Sequence, residues 1–246
     1  MILILGGTSE ASALARLLAA RPDCPALISL AGRTLKPAPQ PLPTRIGGFG
    51  GAAGLADFLA ANGVRAVVDA THPFAEKISA NAALACEQRG TPLLVLRRRP
   101  WQLQPGDVWS EVEDAPAAAL ALGKKARRVF LTVGRLELPA FLAAPQHRYL
   151  IRTVDPPEVL PPKAKLILER GPFAEAAETA LLQKEKIEVI VTKNSGGEAT
   201  YAKIAAARAL HLPVILMRAP EWPSAQSVDT AEAAVAWLEE MQRRRD

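Results

Sequence analysis

The sequence predicts an α/β fold of two Rossmann-like lobes, each a parallel sheet flanked by helices, with a cleft between them. Three observations carry this prediction. Short apolar runs alternate with Ala/Leu-rich helical segments along nearly the whole chain. The runs are unbroken rather than alternating, the pattern of parallel strands covered on both faces. The alternation stops once, near Arg97, and then resumes. That break divides the chain into lobes of residues 1–97 and 98–246. With 246 residues in all, each lobe is long enough for its own core.

The elements follow in order. Residues 2–5 form a strand. Residues 8–20 form a helix with Leu14, Leu17 and Leu18 on one face. Residues 26–30 are a second strand, and 50–62 a helix ended by Gly63. A strand over 65–70, a helix over 73–89 ended by Gly90, and a strand over 92–96 complete the first lobe. The stretch from Arg97 to Asp114 has no period. Beyond it, strands are expected over 128–133, 149–154, 165–169, 188–192 and 213–217. Helices are expected over 136–142, 173–185, 198–210 and 230–243. Asp155-Pro156-Pro157 and Leu160-Pro161-Pro162 mark loops.

Composition excludes several classes. An apolar share of 49% with 22% charged residues is that of a folded chain, not of a disordered or collagen-like one. Cys24 and Cys86 form no CxxC pair and no cluster with the three histidines. This argues against a metal site and suits a reducing compartment. The start, Met1-Ile2-Leu3-Ile4-Leu5, has no basic segment and no cleavage site. No stretch nears the ~20 apolar residues of a membrane helix. A cytoplasmic protein without membrane contact is expected, as a monomer or weak homo-oligomer. The net charge of +5 is small and spread over both lobes. It fits a solvated basic surface or a polyanionic ligand held by a few arginines. Few aromatics and no basic stripe argue against nucleic acid. GxSxG, Walker A and HExxH motifs are absent, against hydrolase and NTPase chemistry.

Ligands of open parallel sheets bind beyond the carboxyl ends of the strands, so the loops there hold the chemistry. Gly6-Gly7-Thr8-Ser9-Glu10 follows the first strand and opens a helix. It suits either a phosphate at a helix N-terminus or a tight turn capped by Thr8 or Ser9. Ala31-Gly32-Arg33-Thr34 follows the second strand, where an arginine in place of an acid favours a 2′-phosphate. Gly47-Gly48-Phe49-Gly50-Gly51 is a ligand wall or a bare turn. Asp69-Ala70-Thr71-His72-Pro73-Phe74 places Pro73 at a first helical position. It offers a hydroxyl and an imidazole to the cleft, with His72 as a contact rather than a base. In the second lobe, Thr132-Val133-Gly134-Arg135 and Thr192-Lys193-Asn194-Ser195-Gly196-Gly197 set hydroxyls, cations and free N–H groups at strand ends. Both suit carboxylates or phosphates. Tyr201 lies in the following helix and is expected to face the cleft. Arg97-Arg98-Arg99 is a solvated run or a hinge reaching the ligand.

These motifs, with Arg99-Pro100-Trp101, stand in the order found in precorrin-6A reductases of cobalamin biosynthesis, and the chain resembles that family from residue 1 to about Met217. Thr-His-Pro-Phe-Ala and Thr-Lys-Asn-Ser-Gly-Gly are its specific motifs. The resemblance implies a two-lobed Rossmann-like reductase using NADPH. Its substrate is a ring-contracted tetrapyrrole rich in acetate and propionate side chains. One macrocycle carbon receives a hydride and its neighbour a proton, giving precorrin-6B. On this reading the first lobe binds NADP and the second completes the substrate site. Gly7, Thr8 and Ser9 approach the pyrophosphate or its ribose, and Gly32 and Arg33 hold the 2′-phosphate. Gly50 and His72 line the cofactor groove. Thr132, Arg135, Asn194, Ser195 and Gly196 face the substrate. Lys193 and Tyr201 are the candidate proton donors, with water a third source. A cobalt-precorrin-6A reductase, another NADP-dependent reductase and a non-catalytic NADP-binding regulator are the alternatives.

Overall fold

A computed structural model describes residues 1–32, 37–220 and 225–244. Arg33, the expected 2′-phosphate ligand, lies outside the described residues. The chain forms two compact units, residues 1–99 with 220–246, and residues 100–219.

Unit 1 begins with β1 (Ile2–Leu5), α1 (Ser9–Ala19), β2 (Ala26–Leu30) and β3 (Thr44–Ile46). It continues with α2 (Ala52–Ala61), β4 (Ala66–Asp69), α3 (Glu76–Arg89) and β5 (Leu93–Leu96). The chain then builds unit 2: β6 (Val108–Val112), α4 (Ala115–Ala121), β7 (Arg128–Thr132), a 3-10 helix (Leu138–Ala143), β8 (Arg148–Thr153), β9 (Ala164–Leu168), α5 (Glu175–Lys184), β10 (Val189–Lys193), α6 (Ala202–Ala209) and β11 (Pro213–Met217). It returns to unit 1 with β12 (Ser227–Val228) and α7 (Ala231–Arg243).

Each unit holds one parallel six-stranded sheet. The orders are β12-β5-β4-β1-β2-β3 and β6-β11-β10-β7-β8-β9. Both are the doubly wound order, with the switch point between β1 and β4 in unit 1 and between β7 and β10 in unit 2. Apart from the 3-10 helix that replaces α1, the series from β1 to α4 is repeated from β7 to α7. The sixth strand of each series is exchanged: β6 pairs with β11 and β12 with β5. A duplicated architecture is thus present although the sequence shows no repeat.

The last 27 residues, counted with the second lobe although the helix from Thr230 could pack on either, belong to unit 1. β12 extends its sheet, and α7 packs against α1. Ala234, Val235 and Leu238 join Leu14, Leu18, Ile2 and Ile4 in one core layer. The opposite face of β1, Leu3 and Leu5, packs on Leu55 and Leu59 of α2 and Ala82 and Ala85 of α3. Burial on both faces is why β1 is apolar at every position. In unit 2, Phe130, Ile190, Val214 and Leu216 pack on Ile204 of α6 and Leu182 of α5. Buried Arg152 of β8 secures α5 through two bonds to Glu178, at 2.7 and 3.0 Å.

Candidate active site

At the switch point of unit 1, Gly7 turns the chain with φ +126°, beyond the reach of most L side chains. Thr8 caps α1: its Oγ1 accepts from Ala11 N at 3.1 Å and donates to the Ala70 carbonyl at 2.8 Å. The hydroxyl therefore ties the loop after β1 to the loop after β4. With Ala11 N taken by the cap, the N–H groups of Ser9 and Glu10 are the first-turn donors that the helix itself leaves unbonded. Ser9 Oγ donates to Glu10 at 3.0 Å, and Arg98 pairs with Glu10 at 3.2 Å. This pairing balances an acid placed at the helix start.

Two of the three arginines, Arg97 and Arg98, are largely buried, and Arg99 is exposed. Arg97 pairs with buried Asp69 at 3.6 Å, and Arg99 with Asp229 at 2.7 Å. Burial lowers the Arg97 pKa below its ordinary value, and the Asp69 charge opposes that shift. Asp69 also accepts from Thr71 N at 3.1 Å, Thr71 Oγ1 at 2.6 Å and Ser79 Oγ. Thr71, expected to offer its hydroxyl to a ligand, is instead buried as a strut beneath the loop. Pro73 does not open the helix either. Residues 72–75 form a turn closed by Ala75 N to His72 O at 2.8 Å, and α3 starts at Glu76. His72 Nδ1 accepts from Phe74 N at 3.2 Å, which leaves the ring proton of the neutral imidazole on Nε2.

Gly32 stands two residues after β2 at φ +71°, just ahead of Arg33 in the chain. Gly50 lies just before α2 at φ +81°. Sequence reading missed Arg45 of β3. Its guanidinium donates to the carbonyls of Gly47 and Gly48 at 2.5 and 2.7 Å and lies 4.0 Å over the Phe49 ring. It holds the glycine segment in place. A Cβ at Gly47, Gly48, Gly50 or Gly51 would meet nothing within 4 Å. Open, side-chain-free backbone beside an available helix N-terminus fits a nicotinamide dinucleotide.

At the switch point of unit 2, Lys193 ends β10 and its Nζ pairs with Glu137, which follows β7. Glu137 was not singled out by the sequence. Its only sequence signal is an acid three residues after Gly134. Gly134 sits under the pair at φ +97°. A Cβ there would stand 3.1 Å from Glu137 Oε2 and 3.8 Å from Lys193 Nζ. Thr132 Oγ1 is buried at the end of β7 with no partner among the described residues. Arg135 is half-buried and makes no ion pair among them. Thr132, Arg135 and Lys193 thus lie at or just beyond the carboxyl ends of the paired strands β7 and β10, with Ser195 and Gly196 buried in the loop after β10.

Two expected site residues have polar atoms bonded within the fold. Asn194 Oδ1 accepts from Trp101 N at 2.8 Å, and its Nδ2 donates to Trp101 O at 3.1 Å. This is a two-bond clamp on the Trp101 backbone. The Tyr201 hydroxyl accepts from Arg208 Nη2 at 2.5 Å. Arg208 itself is held by Asp107 through bonds of 2.9 and 3.3 Å. Hydrogen bonds to Asp107, then to Tyr201, raise the Arg208 pKa above its ordinary value. The Tyr201 hydroxyl is part of this network.

Among the described residues no three His, Cys, Asp or Glu side chains gather as a metal site, and no helix is long and apolar enough to cross a membrane. The fold is that of a doubly wound α/β protein with two Rossmann-ordered units. The family model Precorrin-6x reductase CbiJ/CobK matches residues 1–239. The chain is 52% identical to precorrin-6A reductase of Rhodobacter capsulatus, covering 96% of this chain and 95% of that one. It is 54% identical to precorrin-6A reductase of Sinorhizobium sp, covering 96% and 93%. The solved structure of CobK precorrin-6A reductase matches with a TM-score of 0.92 at 51% identity, over 98% of this chain and 96% of that one. The chain belongs to the precorrin-6x reductase CbiJ/CobK family. It is an oxidoreductase, and a reductase of this family implies a nicotinamide cofactor.

Proposed function

We propose that this protein reduces precorrin-6A to precorrin-6B with NADPH, in cobalamin biosynthesis. The observation that carries the reading is the chemical contrast between its two switch points. One is glycine-lined backbone at a helix N-terminus. The other presents Lys193, Arg135 and the Thr132 hydroxyl, a donor set suited to a polycarboxylate. Identity above 50% to precorrin-6A reductases over nearly the whole chain supports the same substrate.

In this reading Gly7, the first turn of α1, Gly50 and His72 hold the dinucleotide, and Arg33 takes its 2′-phosphate. Thr8 shapes that cradle through its cap. Ser9 lies on the phosphate side. Arg135, Thr132, Ser195 and Gly196 hold substrate carboxylates. The bound cofactor supplies the hydride. Lys193 Nζ supplies the proton to the neighbouring carbon and regains one from solvent. Glu137 fixes the ammonium in place.

The test is NADPH oxidation with purified precorrin-6A, followed by corrinoid absorbance and a mass gain of two hydrogens. Turnover with NADPH and not NADH supports the reading. NADPH binding without reduction of precorrin-6A removes the substrate assignment, and the cobalt-bound analogue is then assayed. Arg33→Glu tests the cofactor choice: weaker NADPH binding with NADH spared is expected, and equal loss of both rejects the 2′-phosphate role.

A further inference from the structure

Unit 2 holds a cavity separate from the Lys193–Glu137 pair. It is lined wholly by residues within 100–219, along β6 and beyond the carboxyl ends of β11 and β10, with a volume of about 410 Å³. Trp101, Trp109 and Leu103 form its apolar walls, and Asn194, Glu111 and Arg218 its polar ones. The size is within the ~300–1,000 Å³ of small-molecule sites.

One wall is fixed. Asn194 holds both backbone groups of Trp101, the Trp101 indole donates to Gly197 O at 2.8 Å, and the Lys203 ammonium lies 4.9 Å from the ring. The ring stays in place whether or not anything lies against it. The opposite side is open. Leu103 is 64% exposed, an apolar side chain without cover. The Arg218 backbone is anchored by its N–H to Val112 O at 2.9 Å. Its guanidinium is 4.0 Å from Glu111, the outer limit of an ion pair, and both side chains are largely exposed. Such a pair holds weakly and exchanges easily. The buried indole N–H of Trp109 has no acceptor among the described residues and is an unused donor beside the cavity.

We infer that this cavity is a subsite for one carboxylate-bearing edge of the tetrapyrrole. The ring hydrocarbon lies against Trp101 and Leu103, and its acetate or propionate pairs with Arg218. The inference rests on the reading that the substrate is a polycarboxylate tetrapyrrole. A bare anion has no use for two indoles, and an apolar ligand none for an arginine. An amphipathic anion uses both. Glu111 is the ligand's competitor: it occupies Arg218 when the cavity is empty of carboxylate and turns to water when one arrives. The family motifs around Trp101 and Asn194 are then parts of one device, a wall and its clamp.

The test titrates three full-length chains, unaltered, R218E and E111Q, with cobyrinic acid, a stable corrin polycarboxylate, and separately with NADPH. R218E is expected to weaken corrin binding about tenfold or more, the weight of one charge-assisted hydrogen bond, with NADPH affinity unchanged. E111Q is expected to tighten it, because the competing charge is gone. Unchanged corrin affinity in both variants overturns the subsite. So does parallel weakening in both, which would make the pair structural. Both side chains are exposed, so the fold is retained, and a thermal melt checks this. Failure of the substrate reading shows elsewhere, as absence of precorrin-6A reduction by the unaltered chain.

Discussion

Lys193 and Glu137 meet across the switch point of unit 2, one from the end of β10 and the other from the turn after β7. The pair joins the two strands between which the sheet reverses its winding. Lys193→Ala is expected to cut kcat about 100-fold, the lower range for loss of a general acid, with NADPH affinity kept. Glu137→Gln retains the amine but loosens it, and a drop of about tenfold in kcat with little change in KM is expected. Equal kinetics in both variants and the unaltered chain would remove the pair from the proton step. Steady-state assays on precorrin-6A decide this.

Gly134 makes room for that pair. An alanine there faces both a φ of +97° and a carboxylate oxygen at 3.1 Å. Gly134→Ala should destabilise the protein by about 1–2 kcal/mol and displace Glu137, so activity falls with stability. Thermal unfolding and kcat are measured together.

Thr8 couples the loops after β1 and β4 through one oxygen. Thr8→Ala should cost about 1–2 kcal/mol through loss of the cap and weaken NADPH binding. Thr8→Ser keeps the oxygen and should restore both. If serine fails to rescue, the methyl group matters and not the cap.

Asn194 is predicted to act on stability before substrate. Asn194→Ala frees two buried backbone groups of Trp101 and should cost about 1–3 kcal/mol in denaturant unfolding. Asn194→Asp is expected to be no better. It can still accept from Trp101 N, but it sets a carboxylate against the Trp101 carbonyl.

Legibility in the sequence followed burial. The central strands β1, β4, β7 and β10 are covered on both faces, so their apolar runs mark them, and their expected ranges hold to within a residue. The strands that escaped notice, β3, β6 and β12, all lie at sheet edges. Val108-Trp109-Ser110-Glu111-Val112 is half exposed and needs no unbroken apolar run. The strand-end loops were legible because glycine and cap residues sit where helices begin. The partners of their side chains were not. Nothing local in the sequence says that Asn194 will face Trp101, 93 residues away, or that Tyr201 will meet Arg208. Asn194 lies just after β10 and Tyr201 just before α6, and their polar atoms are bonded within the fold.

Alkaline pH should unfold the protein through two buried groups. Burial, and then the Asp69 charge, push the Cys86 thiol from 9.0 up to about 12. Burial pushes the Tyr149 hydroxyl from 10.0 up to about 12. The folded state keeps these protons where the unfolded chain has lost them, so stability is full below about pH 9 and declines from there towards pH 12. Melting temperatures across that range should show the decline, and Cys86→Ala should flatten its first part. A melting temperature independent of pH above 9 would contradict the burial of both groups.

The exchanged sixth strand sets a timetable for synthesis. Unit 2 is contiguous and can close as soon as β11 has left the ribosome. Unit 1 is older in the chain yet finishes later. Its sheet carries an unpaired edge at β5, and its α1 lacks the cover of Ala234, Val235 and Leu238, until the last residues emerge. A nascent chain stopped before residue 227 would hold one finished unit and one exposed one, so a premature stop near the end leaves a first half that is open to proteolysis and pairing with other chains.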